Sequence, residues 1–386
     1  MKKNIVILGC GLSGMLTALS FAKKNIKTTI IEYRLTSSDD FCTDIRTTAL
    51  TPASLKFLRN INIWSKIENI ASKMLEVYVV DNKAPEMLSF SNLKKNDEVG
   101  YIVKNSEFKQ ILLDEVKNNP FIEIFDNCAY KKVDSHLDHS IIYFEDNKTI
   151  NCELLIVCDG QNSKVRQYYF FNKIEKAYKQ TALTFNITHE KNHENCAIEH
   201  FMPLGPFAIL PLKEQNSSSV IWTTSTQQAS LLMTLSSEEF EYLLGKNCGY
   251  SLGTIHLDSK ISCFPLKARV TSKYFYNKIV LVADSAHVIH PLAGQGLNQG
   301  IKDIEALVQL TLGNGITEFT LEQYQKLRQN DNLVMYIATE SLNTIFSNHS
   351  KPLWYLRRLG LKTIDNMPVI KKLLLQYAMG NRSNLS

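Results

Sequence analysis

The sequence predicts an α/β protein of two domains. Three observations carry this: a strand, glycine turn and helix at the start of the chain, two later strands that again run into turns bearing an aspartate, and a β-rich stretch at 181–224 without a long helix. In the opening element, IVILGCGLSGMLTALSFAKKN at 5–25, apolar residues run straight into Gly9-Cys10-Gly11-Leu12-Ser13-Gly14. A strand that stops at G-x-G-x-x-G turns tightly, brings backbone N–H groups close to a pyrophosphate and aims a helix N-terminus at its charge. Glu32 closes a second strand, KTTIIE, 18 residues after Gly14, where a carboxylate accepts hydrogen bonds from a ribose hydroxyl. Together these predict a dinucleotide site at residues 9–14 without choosing which dinucleotide.

At 386 residues the chain is long enough for more than one core. Its 44% hydrophobic and 21% charged content is ordinary for a soluble globular protein and gives no sign of nucleic-acid binding. The net charge of +5 is unevenly placed: residues 351–386 hold seven basic side chains and one acid, +6, which leaves −1 for the rest. Eight cysteines without a C-x-x-C pair, several inside apolar runs, read as reduced thiols of a cytoplasmic protein. Met1-Lys2-Lys3 and the run that follows resemble a signal peptide, but too few apolar residues precede Cys10 for an h-region, and Glu32 continues the nucleotide pattern. No run of 18 apolar residues predicts a membrane span.

Further along, Thr51-Pro52 starts a helix with a hydroxyl cap and Pro at its first position, and Leu50, Leu55, Leu58 and Ile61 fall at helical spacing. Arg46 precedes it in a loop, either solvated or reaching a nucleotide. Residues 77–80 read as a strand, 81–98 as a polar loop and 106–118 as an amphipathic helix capped by Ser106. Short β runs from 121 end on Asp159-Gly160, a second strand-end turn. TALTFNIT, CAIEHFM, FAILPL and SSSVIWTT then read as an antiparallel sheet, and 236–245 as a helix. In the third signal, Ile279–Ala283 ends on Asp284, Pro291-Leu292-Ala293-Gly294-Gln295-Gly296 forms a glycine-rich loop, and a helix starts near Leu297. Asp284, His287 and His290 recur every three residues, but Pro291 and the glycines break the helix that would align them on a metal, so no metal is expected.

These ordered motifs, Gly9–Gly14 with Glu32, CDGQNSKVR at 158–166 and ADSAHVIHPLAGQGLNQGIKD at 283–303, resemble the flavin-dependent aromatic hydroxylases built on the glutathione-reductase-type FAD domain. RTTALTPASLKFL, GYIVKN, GPFAILPL and the Arg328–Asp331 region most resemble the ubiquinone-biosynthesis hydroxylases, the 2-polyprenylphenol monooxygenase family, over nearly the whole chain. The resemblance implies an FAD-binding domain at 1–75, 99–175 and 265–345, an inserted antiparallel substrate domain at 76–98 and 176–264, and C-terminal helices at 346–386. It implies FAD held by Gly9, Gly11, Leu12, Ser13 and Gly14 at the pyrophosphate, Glu32 at the adenosine ribose and Arg46 nearby. Asp159, Gly160 and Asp284 would serve the middle of the cofactor, and Gly294, Gln295, Gly296, Leu297 and Asn298 its ring, with His290 and Pro291 at the flavin face. NAD(P)H would reduce the flavin, and O2 would return as a flavin hydroperoxide that hydroxylates a polyprenylated phenol. No side chain is assigned as catalytic, since the flavin carries the chemistry.

Ala283 departs from the family's usual Gly. Phe185, Phe201, Phe207 and Trp222 are candidates for an apolar tail channel, or ordinary core. The basic, apolar segment 351–386 reads either as a peripheral anchor on anionic lipid or as a packed tail; other ubiquinone-biosynthesis proteins are potential partners. Rival readings are another hydroxylase or reductase of this fold acting on an apolar substrate, and a non-catalytic flavoprotein scaffold.

Overall fold

The computed structural model describes residues 4–34, 44–81, 87–91, 98–170, 172–248 and 251–347. The expectations for 351–386, for Cys42 and for the loop at 37–40 lie outside these residues. Ile5–Leu8 is an all-apolar strand buried on both faces, as a central parallel strand must be. It pairs in parallel with Thr28–Ile31 on one side and Leu154–Val157 on the other. Ile279–Leu281 extends the sheet in parallel beyond Leu154–Val157, and Ile122–Phe125 beyond Thr28–Ile31; only the edge strand Phe275–Tyr276 is antiparallel. Leu8 stands beside both Ile31 and Val157, and Val157 beside Leu281. Because these four strands are parallel and in step, the turns that follow them emerge on one edge of the sheet. Motifs nearly 300 residues apart in sequence are therefore neighbours in space.

The helix Leu12–Ala22 packs on this sheet, with Asn105–Lys117 and Gln295–Asn314 against it. Val133, Ile142 and Phe144, from the antiparallel meander Tyr130–Ser135, Ser140–Phe144 and Thr149–Cys152, join the same core. A second, nine-stranded sheet carries Lys173–His189, Ser217–Ser225, Gly205–Pro211 and Cys196–Met202 at its centre, and Glu76–Asp81 adds in parallel to Cys196–Met202. One face of this sheet is closed by the helices Thr226–Leu232 and Ser237–Asn247, the latter held by a capping box between Ser236 and Glu239. Phe185, Phe207 and Trp222 point into that closed layer against Phe240, and Phe201 stacks on Phe346 from the opposite face. Phe185, Phe207 and Trp222 are thus core, not the lining of an apolar channel.

Several local expectations are corrected. Met87–Ser91, inside the stretch read as loop, is a strand paired with Glu76–Asp81; it is only five residues long, and two of them are serines, so its apolar signal is short. Leu50 belongs to the strand Thr47–Leu50, paired with Gly100–Lys104, and not to the helical stripe. The helix itself runs Pro52–Asn60, and Thr51 accepts from the Ser54 N–H as its cap. The helix expected over 106–118 begins at Asn105, one residue early, so Ser106 sits in its first turn without capping it. Thr226–Leu232 gave no separate signal in the sequence.

Ala283 has φ +56°, a left-handed conformation that ordinarily favours glycine. Gly300 makes room for its methyl: a Cβ added at Gly300 would lie 2.7 Å from the Ala283 Cβ. Gly300→Ala should therefore cost about 1–3 kcal/mol as an overpacked contact. Ala283→Gly should restore most of that loss. A double-mutant cycle by urea unfolding measures the coupling, and additive effects would contradict the contact.

Candidate cofactor and substrate site

The first turn has the features of an anion cradle. Gly9 has φ +99°, and a Cβ there would meet the Cys158 carbonyl oxygen at 2.6 Å. At Gly14 a Cβ would come within 1.9 Å of the Gly9 oxygen, so the turn and the following helix touch backbone to backbone. Gly11 differs, since nothing lies within 4 Å of where its Cβ would stand. It is the N-cap of Leu12–Ala22 with no side-chain capping bond, leaving the first-turn N–H groups directed at that open space. Leu12 is packed on the core while the Ser13 carbonyl accepts from Thr17. Glu32 is fixed at the mouth, where Oε2 accepts from the Cys10 N–H at 2.6 Å. The two buried thiols here, Cys10 and Cys158, are pushed up to about 12 by burial and are inert at neutral pH.

The second turn adds a carboxylate with an open bond. Burial pushes Asp159 up to about 6, against Ser163 and Arg166, and its Oδ1 is buried without a hydrogen-bond partner. Gly160 has φ +80° and open space where its Cβ would stand. Arg166, buried, donates to the carbonyls of Gln161 and Ser285 and so ties this turn to the third one. Asp284 is exposed at this edge; desolvation by the surrounding walls raises its pKa, while His287 and Arg46 act in the other direction. Arg46 is paired with Asp44 at 2.7 Å and lies over the Phe264 ring, and the charge of Asp284 adds to the rise in its pKa. It is neither a fully solvated loop residue nor free, because Asp44 holds it at this edge.

The glycine-rich loop continues the same edge. Gly294 adopts the left-handed conformation at the start of the helix Gln295–Asn314, two residues before the expected start at Leu297, and Gly296 faces open space. Asn298 is committed internally: its Oδ1 accepts from the Thr51 N–H and from Ser54 Oγ, and its Nδ2 donates to the Ala49 and Gly294 carbonyls. Its side chain pins the loop to Thr47–Leu50, leaving only backbone for a ligand. Gln295 is buried, and Leu297 packs on the first core. His290 is buried edge-on to Tyr178, with its Nε2 unpartnered and its pKa pushed down to about 4 by burial, and Pro291 opens the short turn Leu292–Gly294.

Asp303, the last residue of the third motif, anchors that motif to the rest of the fold. It is fully buried and accepts from His287 Nε2 at 2.6 Å, Arg328 Nε at 2.7 Å, the Ala283 N–H at 3.0 Å and Asn332 Nδ2 at 3.2 Å. His287 therefore faces a carboxylate and not a metal; among the described residues no three acidic, His or Cys side chains are grouped to hold one. Asp303 locks the Ala283–Ser285 turn to the two long helices Gln295–Asn314 and Glu318–Phe346.

Open space at Gly11, Gly160 and Gly296, an uncapped helix N-terminus and the orphaned Asp159 oxygen fit a long dinucleotide stretched along one sheet edge. A family model described as an FAD binding domain matches residues 2–329. The chain is 30% identical to ubiquinone hydroxylase UbiL of Rhodospirillum rubrum, covering 98% of this chain and 89% of that protein. It belongs to the FAD-dependent hydroxylases of ubiquinone biosynthesis. The 3-demethoxyubiquinol 3-hydroxylase of Escherichia coli is 28% identical over 98% of both chains. The fold is shared with p-nitrophenol 4-monooxygenase PnpA from Pseudomonas putida, with TM-score 0.81 at 16% identity and 99% coverage of each chain. As a member of this family the protein is an FAD-dependent monooxygenase, and the flavin supplies the redox chemistry when bound.

Proposed function

We propose that this enzyme hydroxylates the aromatic ring of a polyprenylated phenol in ubiquinone biosynthesis, taking one oxygen atom from O2, with NAD(P)H as reductant. The relatives named above support the pathway. The observation that carries the reading is the convergence of the three strand-end turns on one edge of the parallel sheet, with Leu292 of the third packed against the face of the large sheet opposite its two helices. Gly9, Gly11 and Gly14 would hold the pyrophosphate, Glu32 the adenosine ribose, and Asp159 and Asp284 the hydroxyl-rich middle of FAD. The 292–296 loop would carry the ring portion. On that face of the large sheet Glu199, Ala208, Ile221 and Thr184 form one cross-strand row.

The protein's part is to hold the ring in place and exclude water. Expression in bacterial strains that each lack one quinone-pathway hydroxylase tests this. Restored quinone in one strain, with disappearance of its accumulated prenylphenol by mass spectrometry, is expected. Restoration in none would favour another apolar substrate or a scaffold role.

A further inference from the structure

The strand Cys196–Met202 alternates between two layers. Ile198 packs into the core under the helices Thr226–Leu232 and Ser237–Asn247, and His200 stands edge-on to Phe207 in the same layer. Ala197 and Phe201 point the other way. Ala197 shares a cluster with Ala49, whose Cβ lies 3.3 Å from the site of a Cβ on Gly294, and Phe201 clusters with Leu292. Glu199 lies between Ala197 and Phe201 on this second face, since side chains two apart in a strand share a side. It is flanked across the sheet by Val79 and Ala208. Glu199 thus lies on the face that meets the 292–294 loop, between two residues that pack toward that loop.

We propose, resting on the hydroxylase reading above, that Glu199 is the proton acceptor for the phenol of the substrate. The phenol O–H breaks with its electron pair left on oxygen, and the proton forms the Glu199 carboxylic acid. The phenolate ring is more electron-rich and takes up the electrophilic oxygen more readily. The hydroxylated ring then loses its own C–H proton to the second oxygen atom of O2, which leaves as water, and regains aromaticity while Glu199 returns the first proton to the phenolic oxygen, so the carboxylate is regenerated.

Two features suit this role. No described residue pairs with the Glu199 carboxylate. Burial alone raises its pKa, to about 7, near the optimum for a base working at neutral pH. The other titratable groups near that face include Asp81, beside Phe201 in the neighbouring strand, His290 before the 292–294 loop with Tyr178, Lys176 and Glu340 around it, and Arg46. Thr184, at the far end of the same row, is about 14 Å away at three strand spacings, too far to bind the same hydroxyl.

The test uses FAD-loaded wild type, Glu199→Gln and Glu199→Asp with a phenol bearing one isoprene unit, un-ionised between pH 5 and about 9. Binding is read without turnover, from the change in flavin absorption. Wild-type affinity is expected to rise roughly tenfold as pH increases through about 7, the gain from a charge-assisted hydrogen bond, and Glu199→Gln to bind independently of pH. Product formation in Glu199→Gln should fall about 100-fold or more in kcat, with KM changed only a few-fold. Glu199→Asp should keep the pH-dependent binding while losing kcat.

The same pH profile in wild type and Glu199→Gln, or an unchanged kcat, overturns the assignment. Should Glu199→Gln fail to hold FAD, a Glu199→Asp enzyme lacking pH-dependent binding overturns it instead. A wild type that binds the phenol with this pH dependence but forms no hydroxylated product refutes the hydroxylase reading and not the contact.

Discussion

Asp303→Ala is expected to cost about 3–5 kcal/mol of stability, the loss typical when one partner of a buried ion pair is removed. The Arg328 guanidinium would keep Asp331 but lose its bond at 2.7 Å to Asp303, and the Ala283 N–H would be left without its acceptor. His287 and Arg328 hold the Asp303 carboxyl down at about 2 against its burial. A depressed carboxylate adds stability above its unfolded pKa, close to 4, and that stability drains away as pH falls from about 4 toward 2. Asp303→Ala should therefore show a shallower acid limb than wild type as well as a lower plateau. Urea unfolding between pH 3 and 7 reads both; a variant within 1 kcal/mol of wild type at neutral pH would contradict the role assigned to this network.

The second large effect separates two glycines of the same turn. Gly14→Ala places a methyl against the backbone oxygen of Gly9, which has no flexible end to swing away, so the turn must open. The purified variant should be colourless and less stable than wild-type apoprotein by about 1–3 kcal/mol. Gly11→Ala meets no protein atom, and its apoprotein should unfold like wild type. Its methyl stands where the pyrophosphate would lie, so FAD affinity should fall at least about tenfold, or about 1.4 kcal/mol. FAD titration followed by fluorescence, beside thermal unfolding of both apoproteins, distinguishes the two. Unchanged FAD affinity in Gly11→Ala would place the pyrophosphate elsewhere.

What was legible in the sequence was local: glycines at strand ends, an acid at the end of the next strand, and Thr51-Pro52 at a helix start. Asp159 and Asp284 were legible for the same reason, because each follows an apolar run. Asp303 was not, since within IKDIEAL it reads as an ordinary polar position of an amphipathic helix, and its four partners lie 16 to 29 residues away. Glu199 was hidden in a similar way. Alternation in CAIEHFM shows which residues share a face but not which layer covers it, and that ambiguity also made Phe185, Phe207 and Trp222 candidates for a channel. The compensation between Ala283 and Gly300 depends on one helix passing over one turn, which no local pattern encodes.

The sheet edge holding Gly9, Asp159 and Asp284 is expected to bind FAD for hydroxylation of a prenylated phenol. Incubating the FAD-loaded enzyme with a short-chain prenylphenol, NAD(P)H and oxygen-18-labelled O2 tests it most directly. The product is expected to carry one labelled oxygen on the ring, and no label from labelled water. Oxidation of NAD(P)H without any labelled product from any prenylphenol tested, or label arriving from water, would contradict it.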